Sequence, residues 1–329
     1  MYELCRRGVA VLWGQLGVMI FVMISSWFMA DRQGICGQKI IMLLLQVWTT
    51  CILEIVAIGI WHPERLSKGI ILKELLTPLY QKHYWFISVY LVFLIIVPPM
   101  QLLVQALSDH SLQSVCLMMT VLIPLYNYYS DNVGGALADF CYIFLVVAYL
   151  KRKPDNWLRR NCSCFWIGIA AIAGCLIGYK LLLSPKLGDG LLLRILSLRG
   201  RTLLLFLVAV ELFYCFEKMK PFTSRIINAI SGTMFGVYLI HENLMIRGEV
   251  NGSSFIWNDL LHIDDLYMEQ PFFVMYYIGI VLAVFAGCIL LEFLRQNLIE
   301  RLYRSNPMVK SFGERFDIFY TGKIFKQTD

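Results

Sequence analysis

The chain is short of charge. Only 16% of its 329 residues are Asp, Glu, Lys or Arg, against 58% hydrophobic, and its mean hydropathy is +0.64. Soluble chains run at about 25% charged and about 45–50% apolar, so a soluble fold of this size would lack the polar surface to cover its apolar residues. Proline is scarce, at 10 residues, and the 23 glycines follow no period, which excludes collagen-like and low-complexity chains. Abundant Leu, Ile, Phe and Tyr exclude disorder. The 10 cysteines form no C-x-x-C pair. Cys51, Cys116, Cys141, Cys175, Cys215 and Cys288 sit in apolar runs, where a thiol behaves as a small hydrophobe, and Cys162 and Cys164 have no histidine beside them to complete a metal site. Neither a disulfide framework nor a metal is expected. Phosphate-cradling glycine loops, nucleophile elbows and H-E-x-x-H zinc helices are missing. The net charge of +6 lies in short loops beside apolar runs rather than in a basic domain, so it reports membrane orientation and not nucleic-acid binding.

What is present is a series of apolar runs. A spanning helix needs about 20 mostly apolar residues, and runs of this kind or slightly shorter fall at residues 8–30, 39–61, 84–107, 112–126, 135–150, 163–183, 202–216, 226–246 and 271–294. The expected fold is an all-α polytopic integral membrane protein with about nine transmembrane helices. The segment 61–83 between the second and third runs is amphipathic enough to lie in the interface. Basic residues gather at Lys151, Arg152, Lys153, Arg159 and Arg160, at Lys218, Lys220 and Arg225, and along the 297–329 tail. Alternating spans put these on one side, which the positive-inside rule makes cytoplasmic. An odd span count then leaves Arg6 and Arg7 on the outer side, a conflict that one more span before residue 1 removes.

Polar residues inside apolar runs are costly and mark candidate sites. The richest run is residues 231–247, SGTMFGVYLIHENLMIR. Helical spacing brings Tyr238, His241 and Glu242 within a turn, with Ser231 on the same face and Arg247 closing the cluster. A histidine beside a carboxylate serves as a general base or a hydrogen-bonding clamp. It serves equally as an interfacial histidine that satisfies a neighbouring carbonyl, and both readings stay open. Glu54, Asp139 and Glu211 are further polar positions inside spans. Trp85 suits stacking on a sugar ring or an aromatic belt. Arg32 and Lys39 flank a cytoplasmic turn and suit an anionic ligand, although orientation bias also accounts for them.

The run SGTMFGVYLIHENLMIR resembles the penultimate-helix signature T-F-G-V/I-Y-L-I-H of the acyltransferase-3 family of bacterial membrane O-acyltransferases. Three further stretches resemble family helices in the right order. They are GQLGVMIFVMISSWFMA (residues 14–30), HYWFISVYLVFLIIVPPM (83–100) and GGALADFCYIFLVVAYLKR (134–152). The resemblance implies about ten helices with cytoplasmic termini in the bacterial inner membrane, and one membrane-embedded domain over residues 1–329 ending in a basic cytoplasmic tail at 297–329. It implies transfer of an acetyl group from acetyl-CoA to a hydroxyl of a surface polysaccharide or its lipid-linked precursor. Arg32 and Lys39 become donor-binding candidates, and Tyr238, His241, Glu242, Arg247 and Trp85 acceptor-site candidates, with glycan and membrane lipid as partners. The family's first-helix histidine has no counterpart, since no histidine precedes His62. The chain therefore reads as N-terminally truncated relative to the family, with its catalytic residue unassigned. Two alternatives accompany this reading: a transporter or flippase for a lipid-linked sugar, kept open by Pro98, Pro99 and Pro124, and an inactive truncated member of the family.

Overall fold

A computed structural model describes residues 2–32, 34, 37–76, 79, 84–129, 135–161, 203–243, 245–246, 249–250, 253–254, 260–261 and 273–325. The helices are α1 (Tyr2–Met29), α2 (Gly37–Trp61), α3 (Lys68–Leu76), α4 (Trp85–Ala106), α5 (Asp109–Tyr129), α6 (Gly135–Arg152), the single turn α7 (Trp157–Arg160), α8 (Leu203–Glu217), α9 (Arg225–Glu242) and α10 (Phe273–Arg295). A π-helical turn, Gln296–Glu300, continues α10 into α11 (Arg301–Arg304), and α12 (Pro307–Phe325) follows. The strands among the described residues are a two-residue antiparallel pair, Glu249–Val250 with Ser253–Ser254. The protein is thus an α polytopic membrane protein. Gly37–Trp61, Trp85–Ala106 and Ile278–Arg304 are long and apolar enough to cross a bilayer, and Gly14–Met29 and Asp109–Ile123 are shorter apolar helices. Eight expected spans fall on described helices; the run at 163–183 lies outside the described residues. The run at 226–246 is corrected: α9 stops at Glu242, because Asn243 turns to φ −59 and ψ 142 and leaves the helix. Proline does not break α4, which runs continuously through Pro98 and Pro99.

The chain forms two compact units. The first comprises Met1–Ile35 and Val92–Pro221, and the second Cys36–Leu91 and Phe222–Asp329. In the first, α6 is apolar on nearly every face and accordingly buried, as expected of a helix in the middle of a bundle. Phe93 of α4 packs edge-on against Phe140 and Phe144 of α6, at 5.8 and 6.2 Å, and α1 and α5 also lie against α6.

Polar side chains close the helix ends of this unit, where the last carbonyls lack partners. Gln101 donates to the Met29 carbonyl at the end of α1 (2.8 Å) and accepts from the Gly34 amide (3.1 Å). Gly34 has φ 87, a left-handed conformation that suits glycine in this turn. Lys151 donates to the Trp27 carbonyl (2.6 Å), lies over the Trp27 ring and pairs with Asp31. Arg152 donates to the carbonyls of Val104 and Leu107 at the end of α4. The C-termini of α1, α4 and α6 therefore meet at one end of the unit.

In the second unit, α2 packs against α12 and α9, and α9 against α10. The α2–α12 contact is backbone on backbone. A Cβ at Gly313 would lie 2.8 Å from the Gln38 Cα, and one at Gly37 would lie 2.9 Å from the Gly313 carbonyl oxygen. Asp317 accepts from the Gly37 amide and so caps the positive end of α2 from another helix. The outer faces of α2 and α10 expose Ile52, Val56, Ile60, Met275, Leu282, Leu290 and Leu291, as a lipid-facing surface requires. Gly313→Ala is expected to push α12 off α2 and to destabilise the protein by about 1–3 kcal/mol. Gly279→Ala, where an added Cβ meets nothing within 4 Å, is expected to be neutral or to stabilise by up to about 1 kcal/mol through helix propensity. Thermal melts in detergent, followed by size-exclusion chromatography, distinguish the two.

Candidate functional site

The second unit carries two polar clusters, towards opposite ends of its helices. The first surrounds Arg295 at the end of α10. This side chain is buried, with Nε donating to Glu292 (2.7 Å) and Nη2 to both Glu292 (2.8 Å) and Glu300 (2.6 Å). Nη1 donates to the Tyr303 hydroxyl (2.7 Å) and reaches Thr49 of α2 (3.5 Å). Glu292 also accepts from Gln46 of α2 and from Gln296, both at 2.9 Å, and Gln296 donates to the Gly232 carbonyl of α9. Glycine at 236 is what lets Glu292 lie against α9, since a Cβ there would meet its carboxyl carbon at 2.0 Å.

Beside this network is a cavity of about 350 Å³ lined by Gln38, Lys39, Met42, Leu43, Gln46, Glu300 and Arg304. Glu300 bridges the two features, pairing with Arg295 inside and with Arg304 (2.7 Å) at the rim. The ammonium of Lys39 and the amides of Gln38 and Gln46 offer donors suited to an anionic ligand. Of the two donor-binding candidates, only Lys39 lines this cavity; Arg32 belongs to the first unit and is exposed.

The second cluster lies where α9 ends. Tyr238 is its aromatic centre, 6.3 Å from the ring of Tyr84, 5.5 Å from Phe86 and 6.3 Å from His241. Tyr84 is fully buried, donates to the Leu239 carbonyl (3.0 Å) and accepts from the Asn243 side-chain amide (3.0 Å). Asn243 reaches Glu74 of α3 as well (3.5 Å), and its carbonyl oxygen accepts from the Met245 amide (2.8 Å). Asn243 thus ends α9 and ties it to α3 and to the start of α4.

Of the residues that the sequence singles out here, Tyr238, His241 and Glu242 do come together. The Nδ1 of His241 donates to the Val237 carbonyl at 2.6 Å, and its Nε2 lies 3.6 Å from Glu242. One ring nitrogen therefore satisfies a carbonyl while the other faces the carboxylate. Trp85 is half-buried and packs edge-on against Phe86 at 6.0 Å. Ser231 is exposed and donates to the Asn228 carbonyl, apart from the cluster, and Arg247 lies outside the described residues. Asn243 lies within the 231–247 run without being singled out there as a site residue, while Glu74, Tyr84 and the Arg295 network escape a motif-based reading. Glu292, a carboxylate inside the apolar run of α10, was the available signal for the last.

Burial pushes the Glu74 carboxyl above its ordinary 4.5, against the lowering effect of hydrogen bonds from Cys51 and Asn243. The folded state then holds this proton more tightly than the unfolded chain, so Glu74 costs the fold increasing stability as pH rises above about 4.5, until its raised folded value is passed. Glu74→Gln is expected to remove that decline, so melts of the two proteins should diverge in the variant's favour from acid towards neutral pH. Arg295→Met strands two buried carboxylates and is expected to cost about 3–5 kcal/mol, read as a loss of melting temperature.

No curated protein and no solved structure matches the chain. The family model described as an acyltransferase domain, acyltransferase-3, matches residues 4–293, a range that takes in the cluster at the end of α9 and most of both units, together with Gln46, Thr49 and Glu292 of the first cluster, whose Arg295, Gln296, Glu300 and Tyr303 follow it. The chain belongs to the acyltransferase-3 family, and it is a membrane acyltransferase.

Proposed function

We propose that the protein is an O-acetyltransferase that moves the acetyl group of acetyl-CoA to a hydroxyl of a surface polysaccharide or its lipid-linked precursor, in a bacterial inner membrane with the C-terminus cytoplasmic. The observation that carries this reading is the family match together with two polar sites towards opposite ends of one helical unit. The end bearing Lys39 also carries Arg301, Arg304, Lys310 and Arg315, the basic excess of a cytoplasmic face. A coenzyme thioester is cytoplasmic and polyanionic, and the cavity lined by Lys39 and the amides of Gln38 and Gln46 suits its phosphates. The other end, with Tyr238, His241, Glu242 and the half-buried Trp85, combines aromatic rings and hydrogen-bonding groups as sugar recognition requires.

In this scheme an acceptor hydroxyl loses its proton to a base as its oxygen attacks the thioester carbonyl, and the coenzyme leaves as thiol. Holding both reactants in one unit makes the step effectively intramolecular.

Proton NMR of surface polysaccharide from cells with and without the gene is the direct test. O-acetyl signals are expected to vanish on deletion and to return with the gene; polysaccharide unchanged by deletion overturns the reading. Lys39→Ala is expected to raise the KM for the thioester with little change in kcat. His241→Ala is expected to lower glycan acetylation while the protein stays in the membrane, and acetylation at the wild-type level in that strain would remove His241 from the acceptor site.

A further inference from the structure

The Glu54 side chain of α2 is 7% exposed, and neither of its carboxyl oxygens has a hydrogen-bond partner among the described residues. One turn earlier on the same face, the Thr50 hydroxyl is 2% exposed and likewise without a partner among them. Burying a polar group without a hydrogen bond is unfavourable, and more so for an ionised one, so two such groups a turn apart form a costly pair. Both belong to a longer stripe. Lys39, Gln46, Thr50 and Glu54 follow one another at helical spacing within an arc of roughly 80°, and Lys39 and Gln46 line the cavity at the other end of the stripe. At about 1.5 Å per residue, Glu54 lies some 22 Å along the helix from Lys39, a separation that a carrier thiol on a long flexible arm can span. Glu74, Tyr84, Cys51 and Cys288 lie within electrostatic range of Glu54, and Tyr84 and Glu74 are the residues that Asn243 joins at the end of α9. Glu54 therefore borders the acceptor cluster at one end of a polar stripe that starts at the donor cavity.

We infer that Glu54 is a catalytic residue, the carboxylate that binds the acceptor hydroxyl and takes its proton during acyl transfer, with Thr50 holding the same substrate by a hydrogen bond. This deepens the acyltransferase reading and rests on it. As the acceptor oxygen bonds to the thioester carbonyl carbon, the O–H proton passes to Glu54 and the C–S bond breaks. The departing thiolate then takes up that proton, so the thioester and alcohol become an ester and a thiol, and Glu54 is restored as carboxylate.

The test uses the full chain in membranes, with acetyl-CoA as donor and surface polysaccharide from the deletion strain as acceptor. Glu54→Gln keeps size and hydrogen bonding but cannot take a proton. It is expected to lower kcat by about 10²-fold or more, the range of general-base contributions, with KM for the acceptor changed far less, while Glu54→Asp keeps more activity than Glu54→Gln. A second measurement needs no variant. A hydrophobic carbodiimide is expected to label Glu54 of the wild-type protein and stop transfer, with saturating acceptor slowing both. Glu54→Gln within about twofold of wild-type kcat, or label on Glu54 without loss of transfer, overturns the assignment. A wild-type chain that transfers no acetyl group overturns the acyltransferase reading and this assignment with it, whereas wild-type transfer matched by Glu54→Gln overturns this assignment alone.

Discussion

The guanidinium of Arg295 meets two carboxylates, a phenol and a threonine hydroxyl in a setting where water reaches almost none of it, and the second unit depends on that arrangement. Through Glu292 the network reaches Gln46 on α2 and lies against Gly236 on α9; through Gln296 it reaches the Gly232 carbonyl. Three helices that otherwise present lipid-compatible surfaces to one another are thereby held in one register. Apolar packing gives helices within a bilayer little preference for one another, since lipid tails are as apolar as leucine, so close backbone approach and buried polar contacts do the selecting. The glycines at 37, 236 and 313 supply the close approach, and Arg295 supplies the polar contact.

The first unit solves a different problem with the same kinds of residue. Its basic cluster at the end of α6 serves the carbonyls that end α1 and α4, which otherwise have no partner within their own helices. Cations at helix C-termini also oppose the negative end of the helix dipole. The basic residues that end α6 thus finish two neighbouring helices as well, and one substitution there touches more than one helix end.

Much of the fold was legible in the sequence because hydropathy answers to a simple demand: backbone groups in lipid must be satisfied within the segment. The helices at 37–61, 85–106 and 273–295 fall within about two residues of the apolar runs. The misplaced end of α9 has a physical reason, since Leu, Met and Ile continue the apolar run past Asn243 while the side-chain oxygen of Asn243 bonds the Met245 amide and turns the chain out of the helix. Within the candidate site, Tyr238, His241 and Glu242 could be grouped because helical spacing alone brings them together. Glu74 and Tyr84 could not, because they join Asn243 from segments more than 150 residues away in the chain, and local periodicity carries no information about such pairs. Lys39 was legible as a charge, but its place on a cavity wall opposite Glu300 and Arg304 was not.

The π-helical turn at Gln296–Glu300 has a consequence in the currency of insertions and deletions. In an unbroken α-helix, residues five apart point roughly 140° away from each other, so Arg295 and Glu300 would face different surroundings. The wider turn brings them onto one side, which is how a single guanidinium is held between Glu292 behind it and Glu300 ahead. The side chains of Asn297 and Leu298 take no part in that pairing, and their chemistry is free to drift. Their number is not: losing one codon from this stretch would restore an ordinary helix and swing Glu300, Arg304 and one wall of the cavity round the axis together. At Asn297 and Leu298 the stretch tolerates a change of side chain but not a change of length, whereas Gln296 and Glu300 are held by both their chemistry and their place in the turn.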